Sequence, residues 1–282
     1  MYFQDLILKL KEYWKRNGCF IGEGYDVEKG AGTFNYYTFF KTLDSKPWRV
    51  CYVEPSRRPQ DARYGENPNR LFKHYQLQVI LKPAPPDSKK LYLKSLEYIG
   101  IDLSEHDIKF LEDDWTSPTL GAWGLGWEVR VDGLEITQFT YFQAMGGIEL
   151  KIIPVELTYG LERIAMFLQG VNNVFDIEWS KGVSYGDIHK RQEFEFSKFH
   201  FEFLSKEKEI ENFNYFYKKA IDLLNEGLIF PSYDYLLKCS HTFNSLDAYG
   251  ALSHEERENY VKRIRGLAKR IALRYLENEE EA

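Results

Sequence analysis

Asp132-Gly133 sits between two alternating runs, WEVRV at 127–131 and LEITQFTYF at 134–142. An Asp-Gly pair flanked this way is the strongest short hairpin signal, because a type I′ turn needs positive φ at both central residues. A turn of two residues joins antiparallel strands. Further β runs lie at 48–55, where Pro55 is expected to stop the strand, at 74–82 and at 150–157. Helical spacing marks Phe3, Leu6, Ile7, Leu10, Tyr13 and Trp14 before Gly18, then 91–99, then the second half of TYGLERIAMFLQG at 158–170. The pattern predicts an α+β fold, a largely antiparallel sheet flanked by helices.

After about residue 170 the character changes. Ile210, Phe213, Phe216, Ala220 and Leu224 mark one helix, and 235–246 a second. Ser253-x-x-Glu256 forms a capping box ahead of Tyr260, Ile264, Leu267, Ala268, Ile271 and Tyr275 at helical spacing. The expected division is a core over 1–170, a connecting segment packed on it over 171–206, and a C-terminal helical region over 207–282 with a frayed acidic tail at 277–281.

The 282 residues carry 37 Lys+Arg against 43 Asp+Glu, a net charge of −6. That balance argues against holding nucleic acid by bulk charge, since phosphate binding runs on cation excess. The cations gather instead in the loop after residue 56 and along the last helix. Cys19, Cys51 and Cys239 are scattered and form no CxxC pair, as expected of reduced thiols in a cytoplasmic protein. The N-terminal MYFQDLILKLKEYW has charges inside its apolar stretch and does not read as a secretory leader. No run approaches the ~18 apolar residues of a membrane span.

The chemistry concentrates between residues 54 and 82. Arg57, Arg58, Arg63 and Arg70 lie in a loop with Glu66, and the strand that follows alternates His74, Gln76 and Gln78 against Leu77, Val79 and Leu81. Such a strand has one apolar and one polar face. Arginines over a polar sheet face suit a polyphosphate, because guanidinium forks bind phosphate oxygens two at a time. A second group is Glu156, Thr158, Gly160, Glu162 and Arg163. Arg163 opens a helix, where the macrodipole disfavours a cation, so an anionic ligand is the better explanation for it.

The spacing Arg70-x3-His74-x3-Gln78 resembles motif 2 of the class II aminoacyl-tRNA synthetases, and TYGLERIAM resembles motif 3. Helix 3–17 with strand 19–25 stands at the motif 1 position. Longer stretches, GAGT at 30–33, PSRRP at 55–59, RYGENPNRL at 63–71, TSPTLGAWGLGWEV at 116–129 and TQFTYFQ at 137–143, resemble the alpha-subunit family of the bacterial heterotetrameric glycyl-tRNA synthetases. Two departures stand out. Gly24 replaces the proline that commonly ends the motif 1 strand, and the ring expected over adenine is His74.

The resemblance implies activation of glycine by ATP and Mg²⁺ to glycyl-adenylate, then transfer to the 3′ end of tRNA(Gly). It implies an alpha–alpha contact and a beta subunit as partners. By match, Arg63 holds the α-phosphate and the carboxylate, Arg70 the γ-phosphate, and Glu66 the adenine amino group. His74 and Arg163 take the faces of adenine, with Glu162 beside them; Arg63 and Arg163 are the catalytic pair. Glycine falls to Gln76, Gln78, Glu156 and Thr158, with Thr33 joining and Trp115 or Trp123 as the wall against a side chain. The Mg²⁺ ligands and the roles of Arg57 and Arg58 stay open. A synthetase-like adenylating enzyme or a nucleotide-binding regulatory subunit is the alternative. The acids Glu112, Asp113 and Asp114 read as loop polarity, the remaining histidines as solvated or core, and Phe194, Phe196, Phe199, Phe201 and Phe203 as core or subunit contact.

Overall fold

The computed structural model describes residues 1–281. The chain begins with helix α1 (Phe3–Arg16), strand β1 (Phe20–Ile21) and helix α2 (Tyr36–Leu43). Strands β2 (Trp48–Arg57) and β3 (Lys73–Lys82) and helix α3 (Ser88–Tyr98) follow. Then come β4 (Ile108–Glu112), β5 (Trp115–Ser117), β6 (Ala122–Val131), β7 (Leu134–Met145), β8 (Ile148–Glu149) and β9 (Val155–Gly160). Helix α4 (Leu161–Gln169), the small hairpin β10 (Glu178–Ser180) and β11 (Val183–Ser184), and helix α5 (Tyr185–Lys198) lead to the last three helices. These are α6 (Lys206–Asn225), α7 (Ile229–Ala248) and α8 (His254–Glu281).

The main sheet has the order β1-β2-β3-β9-β7-β6-β4, with β5 also on β6 and β8 on β7. Every pairing is antiparallel except β1 with β2. Asp132 and Gly133 turn the β6–β7 hairpin at φ 50° and 86°, as a type I′ turn requires. One face of the sheet is apolar: Leu77, Val79, Leu157 and Phe139 pack on Leu10 and Trp14 of α1, Leu96 of α3 and Ile164 of α4. Each fully buried side chain of this kind contributes about 1.5–3 kcal/mol. A second core joins Phe39 and Phe40 of α2 and Phe142 of β7 to Tyr233 of α7 and Ile264 and Ile271 of α8. The last helices therefore wall one side of the polar sheet face.

Five features differ from the sequence expectation. Pro55 does not stop β2, which runs to Arg57 and pairs Pro55 with Tyr75. At this end of β2 the odd-numbered amides point to the edge away from β3, as Arg57 N bonding Lys29 O shows, so the ring removes no ladder bond. Helix α2 was hidden in an aromatic-rich stretch; Asn35 caps it by accepting from Tyr37 N at 2.9 Å. The motif 1 strand is only two residues long, and β9 begins after Pro154 rather than at residue 150. Instead of a frayed tail, α8 continues to Glu281. The Ser253 capping box is present, with both reciprocal bonds made.

Candidate active site

The alternation along β3 works as expected. His74, Gln76 and Gln78 all line one cleft of about 450 Å³ on the polar face, while Leu77, Val79 and Leu81 point into the core. Cross-strand register places Thr158 beside Gln78 and Gly160 beside Gln76. From β7, Gln138 completes the floor, and Trp115 of β5 closes the side nearest the last helices.

Arg58, Arg70 and Arg163 stand over this floor. Arg163, third residue of α4, bonds Glu135 through its carboxylate at 2.7 Å and its carbonyl at 3.2 Å. The neighbouring Glu162 turns the opposite way, accepting from Tyr75 N at 2.7 Å and Tyr185 Oη at 3.0 Å. Burial pushes its carboxyl up to about 7 against those bonds. Arg70 reaches Asp61 at 3.6 Å, and Arg58 Nε donates to Gly30 O at 2.8 Å. His74 is held well below the usual imidazole range by burial and by the two guanidinium groups of Arg58 and Arg163. It is a neutral, flat ring between cations.

The far end of the cleft is different. Glu156, only 1% exposed, lies directly beneath Thr33, Gln78 and Thr158 rather than on the wall itself. Thr33 Oγ1 donates to both its oxygens at 3.0 and 3.1 Å, and the Gln78 amide, assigned with its nitrogen toward Glu156, donates to Oε1 at 3.3 Å and to Thr158 Oγ1 at 2.7 Å. Among the described residues no lysine or arginine pairs with it. Burial raises its carboxyl to about 8.

The structure thus gathers Thr33, Arg70, His74, Gln76, Gln78 and Trp115 with Thr158, Glu162 and Arg163 at one cleft. Arg63 and Glu66 stand apart from it. Arg63 donates to the carbonyls of Gln60 and Ala62, and Glu66 is exposed. Trp123 is exposed on the other face, so Trp115 alone of the two tryptophans reaches the site. Arg58, Asp61, Asn69, Glu135, Thr137 and Gln138 are polar cleft residues without an assigned role from sequence. Arg58 follows β2 directly, with its amide still bonded to Phe72 O, so it continues the 54, 56 alternation that a strand stopped at Pro55 hides.

The arginine loop is itself anchored from α5. Glu193 accepts from Phe72 N at 2.7 Å and Lys73 N at 3.0 Å, and Ser197 Oγ accepts from Tyr64 N at 2.9 Å. Of the phenylalanine stripe, Phe196 stacks on Phe72 while Phe194, Phe199 and Phe203 are exposed. Glu112, Asp113 and Asp114 border a separate cavity beside Trp127, and among the described residues no cluster of three metal-ligating side chains occurs.

Arginines above the open polar face of an antiparallel sheet, with motif 2 on β2–β3 and motif 3 on β9–α4, define a class II aminoacyl-tRNA synthetase. The family model of the glycyl-tRNA synthetase alpha subunit matches residues 3–280. The glycine–tRNA ligase alpha subunit of Coprothermobacter proteolyticus is 58% identical over 281 residues, spanning 100% of this chain and 97% of that one. The chain belongs to the glycyl-tRNA synthetase alpha subunit family. Two solved structures of pyrrolysyl-tRNA synthetase from Desulfitobacterium hafniense align at a TM-score of 0.47. They share 14% and 16% identity over 64% and 65% of this chain and 72% and 75% of theirs, too loose a likeness to inform residues or chemistry.

Proposed function

We propose that this chain is the catalytic subunit of a cytoplasmic glycine–tRNA ligase, in which a carboxylate oxygen of glycine attacks the α-phosphorus of ATP and pyrophosphate leaves. The 3′-hydroxyl of the terminal adenosine of tRNA(Gly) then attacks the acyl carbon, releasing AMP. The carboxylate is already a nucleophile, so the protein's work is to align it and to stabilise charge on the phosphates.

The observation that carries this reading is the polarity of the cleft: three guanidinium groups and a neutral ring at one end, a buried carboxyl without a cation at the other. We assign the α-phosphate contact to Arg58, whose place on the wall Arg63 does not share, and the outer phosphates to Arg70. His74 and Arg163 take the faces of adenine. The ammonium of glycine sits against Gln76, Gln78 and Thr158, with Glu156 ionising behind Thr33 as the cation arrives. Trp115 limits the space for a side chain. Asp61 supplies a hard oxygen on the wall, where it would help to hold a Mg²⁺ carried by the phosphates, which would neutralise charge on the leaving pyrophosphate. The family name, an alpha subunit, supports a beta subunit as partner. With a net charge of −6, most of the tRNA would be held by that partner, this chain taking the acceptor end and pairing with its own copy.

The test is ATP–pyrophosphate exchange and tRNA glycylation by the chain co-purified with its partner. Exchange that responds to glycine and not to alanine is expected. A protein that binds ATP yet shows no glycine-dependent exchange would leave only a regulatory nucleotide-binding role.

A further inference from the structure

Residues 22–35 cross the open edge of β2 and bring Ala31 and Thr33 to the cleft. Until the single 3-10 turn at Gly32–Phe34 the segment has no regular structure, so its course depends on side-chain bonds. Lys29 lies in its middle with 2% exposure. Its ammonium donates to the carbonyls of Tyr25 and Val27 and pairs with Glu54 of β2 at 2.9 Å. Glu54, fully buried, also accepts from Tyr25 N at 2.9 Å and from Asn35 Nδ2 at 2.6 Å. One carboxylate therefore grips the segment near its start, at its middle and at its end.

What the segment carries is half of the amino-acid end of the cleft. Gly32 N donates to Gln76 Oε1 at 2.9 Å, and Thr33 bonds Glu156. The approach is close: a Cβ on Gly32 would run into the Gln78 side chain. Helix α7 holds the same segment from the other side, where Tyr233 Oη donates to Phe34 O at 2.7 Å and Tyr25 Oη bonds Asp234.

A buried ion pair is a poor device for stability alone. Well-packed apolar replacements are often neutral or stabilising, whereas removing one partner strands a buried charge. The three-point grip explains the pair better than stability does. We propose that Lys29 and Glu54 are positioning residues for glycine: they touch no substrate, but fix the segment so that Gly32 and Thr33 hold Gln76 and Glu156 in their binding geometry. This rests on the reading of the cleft as the site of glycine activation.

The experiment measures ATP–pyrophosphate exchange on the full chain co-purified with its partner, varying glycine and ATP separately, alongside thermal unfolding. Lys29→Met should raise the KM for glycine about tenfold or more, leave that for ATP within about threefold, and lower Tm. In the double variant Lys29→Met/Glu54→Gln, with no buried charge left stranded, Tm should recover while the glycine KM stays high. Tyr233→Phe, which deletes one hydroxyl, should raise the glycine KM about threefold at nearly unchanged Tm. A double variant that regains both Tm and wild-type glycine KM would overturn the proposal, as would an ATP KM that climbs in step with glycine's. If Lys29→Met does not fold, the double variant and Tyr233→Phe decide. Wild-type protein whose exchange ignores glycine removes the functional reading and this inference with it; intact wild-type exchange with unaltered variants removes the inference alone.

Discussion

At the nucleotide end of the cleft, Arg70 and Arg163 are part-exposed and already paired with Asp61 and Glu135, whereas at the proposed glycine end Glu156 is buried and, among the described residues, has no cation partner. Part-exposed ion pairs are worth at most about 1 kcal/mol, so an incoming phosphate can displace those carboxylates at little cost. A carboxyl sealed under Thr33 and Gln78 cannot ionise cheaply without help. One end is therefore a ready anion site, and the other becomes charged only when a small cation arrives. The contrast suits ATP, a large polyanion entering from solvent, and glycine, a substrate identified by little more than its two charged groups.

The largest effect that would test this division is expected at Arg58. Arg58→Ala should lower exchange by about 10²–10³ in kcat, because a fixed donor at developing phosphate charge is lost. Next comes Glu156→Gln, which should cut kcat/KM for glycine by about a hundredfold while leaving the KM for ATP nearly unchanged. The same variant has a signature in stability. In the folded protein Glu156 holds its proton up to about 8, against an ordinary 4.5, so the native state binds a proton that the unfolded chain has lost. Its contribution to stability therefore falls as pH rises from 4.5 toward 8, by up to about 1.4 kcal/mol per pH unit. Denaturation midpoints of the Gln variant should lack that slope.

A smaller effect is expected at His74. Loss of a stacking ring in His74→Ala should raise the KM for ATP about tenfold, and His74→Phe should restore it, since the ring acts uncharged. The smallest concerns the pair Glu135–Arg163. Glu135→Gln should change stability by under about 1 kcal/mol and lower the KM for ATP less than threefold, because the freed guanidinium no longer exchanges partners. An increase in KM instead would show that Glu135 contributes to the nucleotide or its metal rather than merely shielding the arginine.

How much of this was legible in the chain depends on whether the signal was local. The β6–β7 hairpin, the polar face of β3 and the start of α4 are written in spacings of two to four residues, and all three occur as read. Arg58 stood among the four loop arginines with its role open, because Pro55 reads locally as a stop and only the sheet order shows that the amide missing from Pro55 faces an open edge. The grip of Lys29 on Glu54 spans 25 residues of sequence and joins a loop to a strand, so no periodicity announces it. Likewise, no spacing announces that Glu162, at the cleft beside Arg163, is held by partners from β3 and α5.

The contrast between the two ends of the cleft rests most directly on the protonation of Glu156. Isothermal titration of glycine into the protein at pH 7, in two buffers of different ionisation enthalpy, counts the protons exchanged on binding. A carboxyl near 8 that ionises beside the ammonium should release close to one proton per glycine bound. Binding with no net proton release would contradict it.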